Sequence, residues 1–184
     1  MKKVLLLLHP GCEEIEAVTP IDLLRRAGIE VTTASVTSEL QIKGGRGIVL
    51  VADALFSDCG DRVYDMLVVP GGPGVEELRK HAEVLDLIRK FHSEGRWIAA
   101  ICAAPLVLLD AGILSEYSIT SFPGAEEELH DRVRDYVPDR VYVDGKIVTS
   151  RGAGTSEEFS LALIRLLLDS ETSDQVRQRI IGRS

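Results

Sequence analysis

Short, uninterrupted apolar runs alternate with amphipathic stretches along this chain, and glycine or proline separates most of them. Val4 to Leu8 is the first such run, the mark of a strand buried on both faces of a parallel sheet. It ends in the loop His9-Pro10-Gly11-Cys12. A helix is expected next, from about Glu13 to Ala27, closed by Gly28 at the glycine position that follows many helices. Ile15, Val18, Ile21 and Leu24 trace its period and are expected to point inward. Glu13, Glu14 and Glu16 load the first turn with the negative charge that the helix dipole favours there.

Glu30 to Ser35 alternates and is β-branched, which predicts a second strand. Lys43-Gly44-Gly45-Arg46-Gly47 marks a turn before Ile48 to Val51, a hairpin expected off the main sheet. Tyr64 to Val69 predicts another buried strand, ending in Pro70-Gly71-Gly72-Pro73-Gly74. Helical spacing resumes at Val84, Ile88 and Phe91, stops at Gly95, and gives way to the strand Trp97 to Ile101. Beyond Gly112 come a short strand near Ser118 to Thr120, an acidic segment from Glu126 to His130, and strands near Val141 to Val143 and Ile147 to Ser150. Thr155 and Glu158 have the spacing of a capping box before an apolar helix that runs through Leu168, and the tail is polar and helical. Strands alternating with helices predict an α/β fold with a mostly parallel sheet covered on both faces. Ligands in such folds gather beyond the carboxyl ends of the strands. With no repeat, linker or low-complexity tract, residues 1–184 are expected to form one domain.

Composition narrows the function. A net charge of −8 with no cluster of basic residues argues against nucleic acid as a partner. No stretch approaches the ~20 apolar residues of a membrane span, and the apolar run after Lys3 is too short for a signal peptide. Three widely spaced cysteines give no disulfide framework and suit a reducing cytoplasm. No pair has metal-ligand spacing and the four histidines are scattered, so no metal and no cofactor are expected.

The chemistry centres on Cys102. The strand Trp97 to Ile101 meets Ala103, Ala104 and the helical run from Pro105 at this residue, a sequence suited to a nucleophile elbow. Helix amides and the dipole would there favour the thiolate; a buried core cysteine is the alternative. Gly71-Gly72 lacks the third glycine of a dinucleotide fingerprint and the Lys-Ser or Lys-Thr of a P-loop. Two glycines facing an elbow suit bare amides aimed at an oxyanion, with the Ala103 amide as second donor; a tight turn is the plainer use. Glu16 is placed to face back toward the same loops, where its carboxyl group can exchange a proton with a thiol, unless it is only a solvated acid at a helix start. No Ser-His-Asp spacing or Gly-x-Ser-x-Gly elbow competes with the cysteine.

Glu13-Glu14-Ile15-Glu16-Ala17-Val18, Ile21-Asp22-Leu23-Leu24-Arg25-Arg26-Ala27-Gly28, Val69-Pro70-Gly71-Gly72, Ala99-Ala100-Ile101-Cys102-Ala103 and Thr149-Ser150-Arg151-Gly152-Ala153-Gly154-Thr155-Ser156 together resemble the ThiJ/PfpI superfamily. The branch is that of the Parkinsonism-associated protein deglycase, DJ-one, and its bacterial relative YajL. The resemblance implies a flavodoxin-like three-layer sandwich that forms homodimers. It also implies a readily oxidised nucleophile at Cys102, a protonated glutamate at Glu16 bonded to it, and backbone donors at Gly72 and Ala103. Arg46 aligns with an arginine that reaches the neighbouring subunit's site, and Arg26 with another interface arginine.

The family often has a histidine before proline where this chain has Phe122-Pro123. His9 is a candidate substitute for it. The protease branch has histidine directly after its cysteine, and Ala103 stands there, which disfavours peptidase activity. The resemblance thus implies a glyoxalase that converts methylglyoxal to lactate, or a deglycase that acts on glycated protein. The alternative is an oxidative-stress sensor or chaperone that works through oxidation of Cys102, with Cys12 as a candidate resolving thiol.

Overall fold

The computed structural model describes residues 1–60 and 62–182. The apolar runs become the centre of a seven-stranded sheet. In chain order its strands are β1 (Lys3–Leu8), β2 (Glu30–Ser35), β5 (Ala54–Leu55), β6 (Met66–Val69), β7 (Trp97–Ile101), β10 (Val141–Asp144) and β11 (Ile147–Ser150). They are arranged β10-β11-β7-β6-β1-β2-β5. Every pairing is parallel except β10 with β11, which is an antiparallel hairpin at one edge. Two short pairs stand outside the sheet. One is the hairpin β3 (Gln41–Lys43) with β4 (Val49–Val51), and the other is β8 (Ser118–Ile119) with β9 (Asp135–Tyr136).

Successive side chains of a strand face opposite ways, and the central strands use both faces. Leu5, Leu7, Leu67, Val69, Ile98 and Ala100 join one core with Val84, Ile88 and Phe91 of α3 (Ala82–Ser93). Val4, Leu6, Leu8, Val68, Ala99 and Ile101 join a second core with α1 (Glu14–Arg26) and α6 (Ser156–Leu167). This gives three layers, helix, sheet and helix. The remaining helices are α2 (Val75–Leu78), α4 (Pro105–Asp110), α5 (Glu126–Leu129) and α7 (Ser170–Arg179), the last packed on α6. No helix among the described residues is long and apolar enough to cross a membrane.

Two expectations about the helices are corrected. Leu24 is buried and Ile21 half-buried, but Ile15 and Val18 face outward, at 53% and 45% exposure. The inward face of α1 is instead Glu16, Ala17, Pro20, Leu23 and Leu24. Small residues at 17 and 20 let the helix sit close to its neighbours, and the Glu16 carboxylate is drawn inward by a backbone amide of the sheet edge. Thr155 and Glu158 form no capping box. Thr155 Oγ1 accepts from the Gly152 amide at 3.1 Å and lies 2.6 Å from Ser150 Oγ, while Glu158 is bonded to Arg140. Both tie loops together on the side of the sheet where the strands end.

Candidate active site

The β7 strand ends in a turn that the chain can make only under strain. Cys102 has φ +64, the left-handed region that costs an L-residue about 1–2 kcal/mol. Three hydrogen bonds hold it there. Its amide donates to Ser150 O at 2.9 Å, its carbonyl accepts from the Phe122 amide at 2.9 Å, and the Ala104 amide closes the turn on Ile101 O at 3.0 Å. The elbow expected from the small residues is therefore present, with the thiol half-buried at the carboxyl edge of the sheet.

The neighbouring loops close on it by backbone contacts that leave no room for side chains. A Cβ at Gly71 would lie 2.7 Å from the Cys102 Cβ and 2.8 Å from Glu16 Oε2. At Gly72, with φ +103, a Cβ would lie 2.4 Å from the Glu13 amide nitrogen. The two glycines divide the work expected of them as a pair. The Gly71 amide donates to Glu16 Oε2 at 2.9 Å, whereas the Gly72 and Ala103 amides act on the Cys102 sulfur and favour its charged form. Glu16 itself is 1% exposed. Its Oε1 has no hydrogen-bond partner among the described residues, and the neighbouring Cys102 thiol acts on its titration.

Two acids thus share one dry spot. Burial pushes the Glu16 carboxyl up to about 7; the Cys102 hydrogen bond and the Gly71 amide pull against it, and the charge of Glu13 adds to it. Burial, then the charge of Glu16 and the bond to it, push the Cys102 thiol up to about 12, against the pull of the Ala103 and Gly72 amides. The Ala103 amide at the helix start favours the thiolate, as expected, and burial together with Glu16 opposes it more strongly. The two groups titrate as a pair, and its first proton is lost near pH 7.

The other expected residues fall in different places. His9 is 1% exposed, with Nε2 3.1 Å from Pro70 O and Nδ1 3.2 Å from Pro10 O, and burial lowers its pKa. It does not stand in for a base at the thiol. It braces the Pro70–Gly71 peptide, whose other end holds Glu16. Cys12 is sealed in the core, and burial pushes its thiol up to about 11, which leaves it almost no thiolate with which to resolve a sulfenate. Arg46 lines the cleft of its own chain, and its amide donates at 2.7 Å to the buried carboxylate of Glu14. Arg26 pairs with Asp22 one helical turn back.

The cleft over Cys102 has a volume of about 610 Å³. Sequence reasoning did not place Arg140, Arg151 or Gly152 in its wall, nor Phe122 as a lining residue. Arg140 is held by Glu158 and by Gly154 O at 2.8 Å, and Arg151 by Pro138 O at 3.1 Å. Arg151 and Gly152 had a sequence signal in the Arg-Gly-Ala-Gly-Thr run that follows β11, and Arg140 had none. No cluster of three or more His, Cys, Asp or Glu side chains among the described residues is arranged to hold a metal.

The raised carboxyl has a consequence for stability. Between the ordinary value of 4.5 and about 7, folded protein keeps a proton on Glu16 that unfolded chain has lost. Stability therefore falls as pH rises through that window, by at most about 3 kcal/mol at ~1.4 kcal/mol per pH unit. Glu16→Gln has no proton to lose. Denaturant unfolding should show the variant gaining on wild type by up to that amount between pH 4 and pH 8, and an equal difference at both pH values would refute the burial of a titrating carboxyl.

Comparison with known proteins agrees with this arrangement. Residues 2–166 match the DJ-1/PfpI family. Protein DJ-1 homolog A of Arabidopsis thaliana is 42% identical over 99% of this chain, which spans 47% of that relative, so this chain is about half its length. The glutathione-independent glyoxalase DJR-1.2 of Caenorhabditis elegans is 32% identical over 95% of this chain and 94% of its own. The crystal structure of Drosophila melanogaster DJ-1beta superposes with a TM-score of 0.96 at 35% identity, covering 100% of this chain and 99% of that one. With its flavodoxin-like sheet, its strained cysteine elbow and a family match over nearly the whole sequence, this chain belongs to the DJ-1/PfpI family.

Proposed function

We propose that this protein is a cofactor-independent cysteine enzyme acting on reactive dicarbonyls, converting a 2-oxoaldehyde and water to a 2-hydroxy acid. The observation that carries this reading is the buried Glu16 carboxyl against the Cys102 thiol, with the Gly72 and Ala103 amides on the sulfur. The name of the worm relative supports it.

The steps follow from that geometry. Glu16 carboxylate takes the thiol proton as sulfur adds to the aldehyde carbon, forming a hemithioacetal. Negative charge passes to the aldehyde oxygen beside the sulfur, where the Gly72 and Ala103 amides stabilise it until it is protonated. Glu16 then moves the proton from the former aldehyde carbon to the adjacent ketone carbon through an enediol. The first carbon is oxidised to a thioester as the second is reduced to an alcohol. Water cleaves the thioester, releases the hydroxy acid and restores the thiol. The electrons balance within the substrate, and no redox partner is required. Arg46, Arg140 and Arg151 in the cleft wall offer positive charge to the carboxylate product. Early adducts of the same dicarbonyls on protein side chains present related carbon centres to this thiol. A reducing cytoplasm suits such a group.

The same amides and a proton-holding carboxyl also suit an oxidised cysteine, so Cys102 sulfinate formation is a second use of the site, as a stress sensor or chaperone switch. Peroxide should add two oxygen atoms at Cys102 in wild type and stop at one in Glu16→Ala, by peptide mass analysis; equal progress in both would exclude Glu16 from stabilising the product.

Homodimerisation is part of the proposal. Ile15 and Val18 on α1 and Ile48, Val49 and Val51 in the hairpin are large apolar residues left exposed, a pattern that marks contact surfaces. Val49→Asp should move the protein from dimer to monomer in sedimentation, and a wild type that sediments as a monomer would refute it.

The central test is turnover. Purified protein mixed with methylglyoxal should yield lactate, with kcat/KM rising through about pH 7 as the Glu16–Cys102 pair loses its proton. Cys102→Ala should lose activity by at least ~10³-fold. Lactate formation that survives in Cys102→Ala would end the reading.

A further inference from the structure

Phe122 is an aromatic residue in the wall of the cleft that Glu16 also lines. Phe122 follows β8 and is tethered to the elbow by the hydrogen bond its amide donates to Cys102 O, yet the residue is left 49% exposed and lines the cleft. A Cβ placed on Gly152 would lie 3.8 Å from Glu16 Oε1, 3.9 Å from Phe122 Cδ2 and 4.0 Å from Cys102 Sγ. Carboxyl, sulfur and ring therefore border one small space that exists because residue 152 has no side chain. Pro123, Pro73, Val75 and Ala103 extend the apolar lining from there.

A cleft of about 610 Å³ is far larger than a three-carbon dicarbonyl requires. A substrate that fills only the corner at the sulfur leaves the Phe122 ring wet and gains nothing from it. An aromatic substituent on the ketone carbon buries that ring face and adds an aromatic pair.

We infer that Phe122 is a specificity-determining residue, and that the site prefers 2-oxoaldehydes bearing an aromatic or bulky apolar substituent over methylglyoxal. This inference rests on the dicarbonyl reading above. With phenylglyoxal the balanced reaction is the same. The thiol adds to the aldehyde carbon, one proton moves between adjacent carbons, and water releases mandelate and the free thiol.

The test compares kcat/KM for phenylglyoxal and methylglyoxal in wild type, Phe122→Ala and Phe122→Leu. The phenylglyoxal to methylglyoxal ratio should exceed one in wild type, fall about tenfold in Phe122→Ala and fall less in Phe122→Leu, in line with the discrimination an apolar contact supplies. A ratio that is the same in all three proteins overturns the inference while leaving the dicarbonyl reading intact. A second measurement needs no turnover. Benzoylformate should protect Cys102 from iodoacetamide at lower concentration than pyruvate does, and Phe122→Ala should close that gap. Protection that follows this pattern without turnover of either aldehyde would sink the dicarbonyl reading and keep the aromatic wall. Equal protection by the two acids in wild type would remove the wall itself.

Discussion

A carboxyl group kept out of water against a thiol is the constraint around which the rest of this structure is arranged. Burying Glu16 carries a penalty that only well-placed partners offset, and just one firm partner is supplied, the Gly71 amide at 2.9 Å. The second oxygen is left for sulfur. Every loop at this edge of the sheet serves the same arrangement. His9 braces the far end of the Pro70–Gly71 peptide, Glu13 accepts from the Glu16 amide at 2.8 Å and fixes the start of α1, and the Glu13 amide donates to Gly71 O at 2.9 Å. They make the distance between two acids a property of the backbone.

Much of the fold was legible because its central strands are buried on both sides. Val4 to Leu8 and Trp97 to Ile101 read as buried strands, and the spacing of Val84, Ile88 and Phe91 gave both the helix and its buried face. Elements that depend on distant partners left little trace. Ala54–Leu55 and Asp135–Tyr136 are two-residue strands defined by the neighbours they pair with. The first helix misled because hydrophobicity favoured Ile15 and Val18, whereas close approach favoured Ala17 and Pro20. At the Thr155 turn a spacing suited to a cap was used instead to knot a loop.

The site divides in the same way. Cys102 and Ala103 lie in a local pattern, a strand turning into a helix, whereas the roles of Glu16 and Gly72 were left open by the residues and implied by the family resemblance. Arg140, Arg151 and Gly152 reach the cleft only because β10 and β11 cross to the sheet edge beside β7. No window of sequence contains that crossing. His9 illustrates the opposite error. It sits in the right loop, yet it is turned into the backbone and serves as a brace.

The strained backbone at Cys102 implies that this protein carries a standing tension between folding and chemistry. Glycine adopts φ +64 without the steric cost that any side chain incurs there. Replacing the cysteine with glycine would relax the turn, so a population screened only for robust folding would drift toward an inert protein. Holding cysteine at that corner requires continued selection for what its sulfur does.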